Sequence, residues 1–169
     1  LGLANEMAIN QFIAHHSVIF QPEKRLMWVS TSPWQCGKYV AYDLNKIFKD
    51  TIDWQHEIYS SDLTIPEDKF IDTPEFQHLL TYKKLTPLLL KKIRKKEQIE
   101  ESVLKTYQAS NPSLYYVYEV IGDYYEAMQQ SKQAIAYWQQ ALKKSIPKLQ
   151  EKERIQQKIQ KQSKDGKES

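Results

Sequence analysis

The sequence predicts an α+β chain in which a small β-rich unit precedes a helical one, and three observations carry that prediction. Two short runs of β-branched and aromatic residues, Ser17-Val18-Ile19-Phe20 and Leu26-Met27-Trp28-Val29, flank a proline-containing turn, the pattern of a β-hairpin. From Thr73 onward, helix-capping signals and long runs of Lys, Gln, Leu and Ile take over. The charge also changes sign: residues 1–73 hold 6 Lys and Arg against 10 Asp and Glu (−4), whereas residues 74–169 hold 18 against 11 (+7). The expected organisation is therefore a β-rich unit over 1–50, a connector over 51–73 and a helical unit over 74–169.

In chain order, Asn5 to Ala14 places Met7, Ile9, Phe12 and Ile13 at spacings that fit a short helix only loosely. The hairpin follows, turning at Gln21-Pro22-Glu23-Lys24. Both of its runs are apolar at successive positions, so both faces of the strands should be buried beneath covering layers. Too little chain precedes Ser17 to supply those layers, and LGLANEMAIN holds neither an initiator Met nor a basic leader. The expectation is an incomplete domain whose beginning lies elsewhere. A third strand is expected over Tyr39 to Tyr42, then a short helix with Asp43 as N-cap. Residues 50–73, with Pro66 and scattered apolar residues, read as irregular.

In the helical part, Thr73-Pro74-Glu75 is a capping residue followed by proline at the first helical position, and Thr86-Pro87 repeats the signal as either a kink or a new start. Further helices are expected over 97–108, 112–128, 131–144 and 148–161, broken at QASNPS and SIP. The stretch YYVYEVIGDYYEAMQQSKQAIAYWQQALKKSIP, about residues 115–148, resembles a single tetratricopeptide repeat. Tyr118, Ile121, Gly122, Tyr125, Ala134, Trp138 and Ala141 fall on the repeat's large and small positions, and Pro147 comes one residue late. Gly122 and Ala134 would let the paired helices approach closely, with Tyr125 and Trp138 filling the space between. A single repeat leaves outer faces bare, so the flanking helices are expected to cap it.

The opening segment, NEMAINQFIAHHSVIFQPEKRLMWVSTSPWQCGKYVAYDL, resembles the C-terminal strands of the penicillin acyltransferase-like (acyl-CoA:6-aminopenicillanic acid acyltransferase-like) N-terminal-nucleophile (Ntn) hydrolases. The resemblance covers about 45 residues. It implies that the hairpin belongs to an αββα sandwich, which would supply the covering layers. It also implies a parent enzyme that hydrolyses or transfers acyl groups at amide bonds with a cysteine freed at a new N-terminus. Nothing in this chain matches that nucleophile, so no catalytic residue is carried over. Bacterial members resembling this chain carry a helical, tetratricopeptide-like tail after the same strands.

Cys36, the single cysteine, cannot form an internal disulfide, and it leaves the compartment undecided. As a nucleophile it would need His15 or His16 as base; a loop cysteine packed as a small hydrophobe explains it better. The two histidines point in opposite directions on a strand and make a poor metal pair, so no metal and no cofactor is expected. KKIRKKEQIEE, at 91–101, alternates its charges with Leu90, Ile93 and Ile99 at helical spacing and reads as the solvated face of an amphipathic helix, not as a nucleic-acid site. The tail EKERIQQKIQKQSKDGKES reads as a capping helix with a frayed end. With 41% apolar residues and no long apolar run, a real core is expected and a membrane span is not. The expected partners are the missing N-terminal part of the same protein and, on the helical unit, a peptide or protein. The alternative to the enzyme reading is a noncatalytic interaction module.

Overall fold

The computed structural model describes residues 3–7, 16–49 and 58–165. The chain divides into two units, one spanning Asn10–Phe76 and the other Gln77–Ser169 together with Leu1–Ile9.

In the first unit the two apolar runs become strands β1 (Val18–Gln21) and β2 (Leu26–Ser30), joined by one 3-10 turn at Pro22–Lys24. Pro22 presets the φ that the turn needs, and Arg25 closes it in the left-handed region at φ 54°. Strand β3 (Tyr39–Asp43) pairs with β2. Asp43 then caps the short helix α1 (Leu44–Ile47), its carboxylate accepting the Asn45 N–H at 3.0 Å. A fourth strand, β4 (Ser60–Ile65), completes an antiparallel sheet of order β1-β2-β3-β4.

Strand β4 corrects the expectation that residues 50–73 are irregular. SSDLTI is short and mostly polar, with little intrinsic strand preference; it is extended because the edge of β3 presents backbone groups that need partners. The pairing is irregular between Tyr39 and Ala41, where the Thr64 hydroxyl accepts the Ala41 N–H at 3.4 Å. The loose helix expected over Asn5–Ala14 lies largely outside the described residues. Its first part is a turn in which the Asn5 side chain accepts the Met7 N–H at 2.9 Å.

Register decides what each face of the sheet presents. Val18, Val29 and Val40 form one cross-strand row, and Phe20, Met27 and Tyr42 form the next on the same face. All six are apolar or aromatic, yet none is buried, and Phe20 is 63% exposed. The opposite face carries the row Ile19, Trp28, Ala41 and Ser60. There Ala41 and Ser60 are buried and the Trp28 indole donates to the Leu63 carbonyl at 2.8 Å, but Ile19 stays open. The two covering layers implied by the apolar runs are not supplied by the described residues.

The helices are α2 (Pro74–Arg94), α3 (Glu101–Ser110), α4 (Tyr115–Ala127), α5 (Ser131–Leu142) and α6 (Leu149–Asp165). The Thr73 hydroxyl accepts the Phe76 N–H at 3.3 Å, as the capping signal predicts. Pro87 lies inside α2 and starts no new helix. It cannot make its own helical hydrogen bond; packing of the neighbouring turn onto the core, with the Thr86 hydroxyl joined to Tyr107 of α3 at 3.1 Å, carries the helix across it. From residue 77 on, one apolar core holds Leu89, Tyr107, Ile121, Trp138 and Ile155, one from each of these five helices.

The closest approach in that core is between α4 and α5. A Cβ added at Gly122 would stand 2.5 Å from Trp138 Nε1, so the absence of a side chain there is what admits the indole. Trp138, Ala134 and Ala141 are fully buried. Tyr125 is partly buried and stacks on Tyr137 of α5, with centroids 5.4 Å apart. Both rings thus lie between α4 and α5, Trp138 fully buried against Gly122 and Tyr125 at the half-buried margin against Tyr137.

Trp138→Ala is expected to destabilise the helical unit by about 3 to 5 kcal/mol, and Gly122→Ala, which must displace the indole, by about 1 to 3 kcal/mol. Lys143→Ala, at an exposed position, should cost less than about 0.5 kcal/mol. Urea midpoints of the three variants check the ranking. Shifts for Trp138→Ala and Lys143→Ala of equal size would contradict the core role of the indole.

Candidate functional site

Two places collect polar side chains: the loop between β2 and β3, which holds Cys36, and the seam between α4 and α6. The loop is tight. Its Ser32–Pro33 peptide is cis, Trp34 takes φ 49°, and the Cys36 N–H donates to the Pro33 carbonyl at 3.0 Å. Gly37 is required because a Cβ there would collide with the Thr31 and Ser32 carbonyls. On the far side, the Asp68 N–H donates to the Cys36 carbonyl at 2.8 Å.

Cys36 itself is 1% exposed. Burial, with the Asp68 carboxylate adding to it, pushes the thiol pKa upward, which keeps the sulfur protonated and unreactive at neutral pH. A nucleophile needs the opposite arrangement. His15 lies outside the described residues. His16 is exposed and lines an open cleft with Ser30, Thr31, Ser32, Pro33 and Trp34. No group of three His, Cys, Asp or Glu side chains is gathered for a metal ion among the described residues.

The seam between α4 and α6 arises from matched spacing. Glu119 and Asp123 stand four residues apart, on one face of α4; Arg154, Lys158 and Gln162 repeat at the same interval on α6. Arg154 grips Glu119 with two hydrogen bonds, 3.0 Å from Nε and 2.9 Å from Nη2. Lys158 bridges Glu119 at 2.8 Å and Asp123 at 2.7 Å. The Trp138 indole adds a bond to Asp123 at 2.9 Å, so α4, α5 and α6 meet at one carboxylate. Tyr115 donates to Glu151 at 2.6 Å at one end, and Gln162 donates to Glu126 at 3.1 Å at the other.

Glu119 is 2% exposed, and such a charge is tolerable only with partners of this quality. Burial lowers the Lys158 pKa, but its hydrogen bonds to Asp123 and Glu119 outweigh that and hold it above the ordinary lysine range. Burial pushes the Asp123 carboxyl up, the nearby Glu119 charge adds to it, and the bonds from Lys158 and Trp138 only partly offset them. The sequence predicts α6 only as a cap and does not single out Glu119, Asp123, Arg154 and Lys158 as a set. The signal was present as the i, i+4 repeat of acids in one helix and of cations in another. No buried side-chain nitrogen or oxygen in the described residues lacks a partner, and the seam's bonds join α4 to α6.

No family model, characterised protein or solved structure matches the chain. Among the described residues, no helix is long and apolar enough to cross a membrane.

The seam and the tyrosine core set an alkaline limit on the helical unit. Burial raises Tyr82 from 10.0 to about 12 and pushes Tyr107 and Tyr115 further, Tyr115 also through its bond to Glu151. A raised folded-state pKa, whether of a phenol or of Lys158, means stability that is complete below the unfolded pKa and is lost as pH climbs toward the folded one. Each such group removes at most about 1.4 kcal/mol per pH unit within that window. Helical circular dichroism should therefore collapse above about pH 10, and the buried phenols should ionise only with that collapse, seen as a late step in absorbance at 295 nm. Complete tyrosine ionisation with helicity intact would contradict it.

Proposed function

We propose that this chain contributes the closing strands of an Ntn-type amide-bond hydrolase or acyltransferase, followed by a tetratricopeptide-like helical tail, and that it has no catalytic activity alone. The observation that carries this is the register of the sheet. Six apolar side chains share one face and none is buried. A strand set with that pattern is stable only as one layer of a larger stack, and a sandwich with a second sheet on one side and helices on the other provides such a stack. The resemblance of the opening segment to the penicillin acyltransferase-like hydrolases is what favours that kind of stack. The buried, protonated Cys36 supports the absence of a nucleophile in the described residues.

The second reading, a noncatalytic tetratricopeptide-like interaction module, is favoured by the helical unit alone. Its Gly122–Trp138 contact and small residues at 134 and 141 fit the pattern of a repeat hairpin, and its helices share one apolar core.

The isolated chain should show no turnover of acyl-amide substrates, with Cys36→Ala indistinguishable from the parent. It should self-associate through residues 17–29, where Phe20→Asp with Met27→Asp restores a monomer without changing the melting of the helical unit. Hydrogen exchange should be fast across 17–29 and slow across α4 and α5. Turnover abolished by Cys36→Ala would overturn the noncatalytic assignment. A monomer with strong protection over 17–29 would overturn the missing-layer assignment.

A further inference from the structure

We propose that the outer face of α2 is a docking surface for a membrane rich in anionic lipid headgroups. Residues 76–96 contain seven Lys or Arg and no Asp or Glu. Sequence reading treated their C-terminal part as a solvated face, but the structure shows that the cations share their stripe with apolar side chains. At about 100° per residue, Leu80, Lys84, Pro87, Leu88 and Lys91 fall within an arc of about 100°. All five are exposed, Leu80 by 36% and Leu88 by 51%, while Leu79 and Leu89 point into the protein. Among the described residues, no carboxylate lies within ion-pair distance of Lys84, Lys91, Lys92 or Arg94; Lys95 reaches the exposed Glu97 at 3.6 Å.

A positive stripe without internal counter-charge calls for an anionic partner, and the leucines decide which kind. Lying parallel to a bilayer, the helix can bury Leu80 and Leu88 at the headgroup boundary while the lysine stems extend to the phosphates. Polyanionic nucleic acid would use the cations, but the leucines would have no role, and the stripe holds no aromatic ring on which a base could stack. The surface is peripheral and requires no spanning segment. It is independent of the enzyme assignment, since it rests on α2 alone.

The test is co-sedimentation of the full chain with vesicles of phosphatidylcholine, or of phosphatidylcholine containing about one third phosphatidylglycerol. Binding is expected only to the anionic vesicles, with release as salt rises to about 0.5 M. Lys84→Glu, Lys91→Glu and Lys92→Glu together should weaken it at least about tenfold. Leu80→Ser with Leu88→Ser should weaken it too, and both variants should retain parental helicity because every altered side chain is exposed. Equal binding to neutral vesicles, or undiminished binding by the charge-reversed variant, would overturn the proposal and move the contact to the exposed sheet. Binding to a single-stranded oligonucleotide that displaces the vesicles and is unaffected by the leucine substitutions would overturn it in favour of nucleic acid.

Discussion

The carboxylate of Asp123 is the point at which the helical unit is joined. It accepts the Trp138 indole from α5 and the Lys158 ammonium from α6, and it stands beside Gly122, whose missing side chain lets the indole reach it. The three features depend on each other. Without the glycine the indole could not lie flush on α4; without the indole Asp123 would lose a donor; without Lys158 Asp123 would lose its cation and the buried Glu119 would keep only Arg154. Helix α6 has few apolar residues to bury, with Ile155 fully enclosed and Ile159 partly so. Its attachment therefore relies on directional polar bonds, which fix its register against α4 more sharply than a greasy seam would.

The sheet is organised by a different constraint. Its side chains alternate correctly across β1, β2 and β3, but alternation separates one apolar set from another instead of apolar from polar. A register slip of one residue would therefore carry little hydrophobic penalty, and the pairing must be fixed by the Pro22–Lys24 turn and by the Asp43 cap at the end of β3. The turn and cap chemistry is local and strong, which explains how strands with open faces hold a defined register.

Those differences also explain what the sequence disclosed. The hairpin, the Asp43 cap, the Thr73 start and the helices around Trp138 were legible because each rests on residues within a few positions of one another. Strand β4 was not, since SSDLTI is extended by its neighbour's unpaired edge. Pro87 was ambiguous for a related reason: its local preference is to break a helix, and packing against α3 decides otherwise. At the candidate sites, the inert burial of Cys36 followed from its loop setting. The stacking of Tyr125 on Tyr137 did not follow, because consecutive residues Tyr137 and Trp138 both present rings on α5 and only the packed structure chooses between them.

The two units thus differ in what they leave unsatisfied. Within the helical unit every buried side-chain nitrogen and oxygen in the described residues is partnered, and the interior is closed around Trp138. On the outside of α2, Lys84 and Lys91 share an exposed stripe with Leu80 and Leu88. Within the sheet unit the unsatisfied quantity is apolar area: Val18, Phe20 and Ile19 present β-branched and aromatic surface to water from both faces of an edge strand. Exposed hydrocarbon of that kind is relieved by a packed layer with complementary shape, whereas an exposed cationic stripe is relieved by a diffuse anionic surface. The two surfaces thus differ in kind: apolar area on the sheet and positive charge interleaved with leucines on the helix.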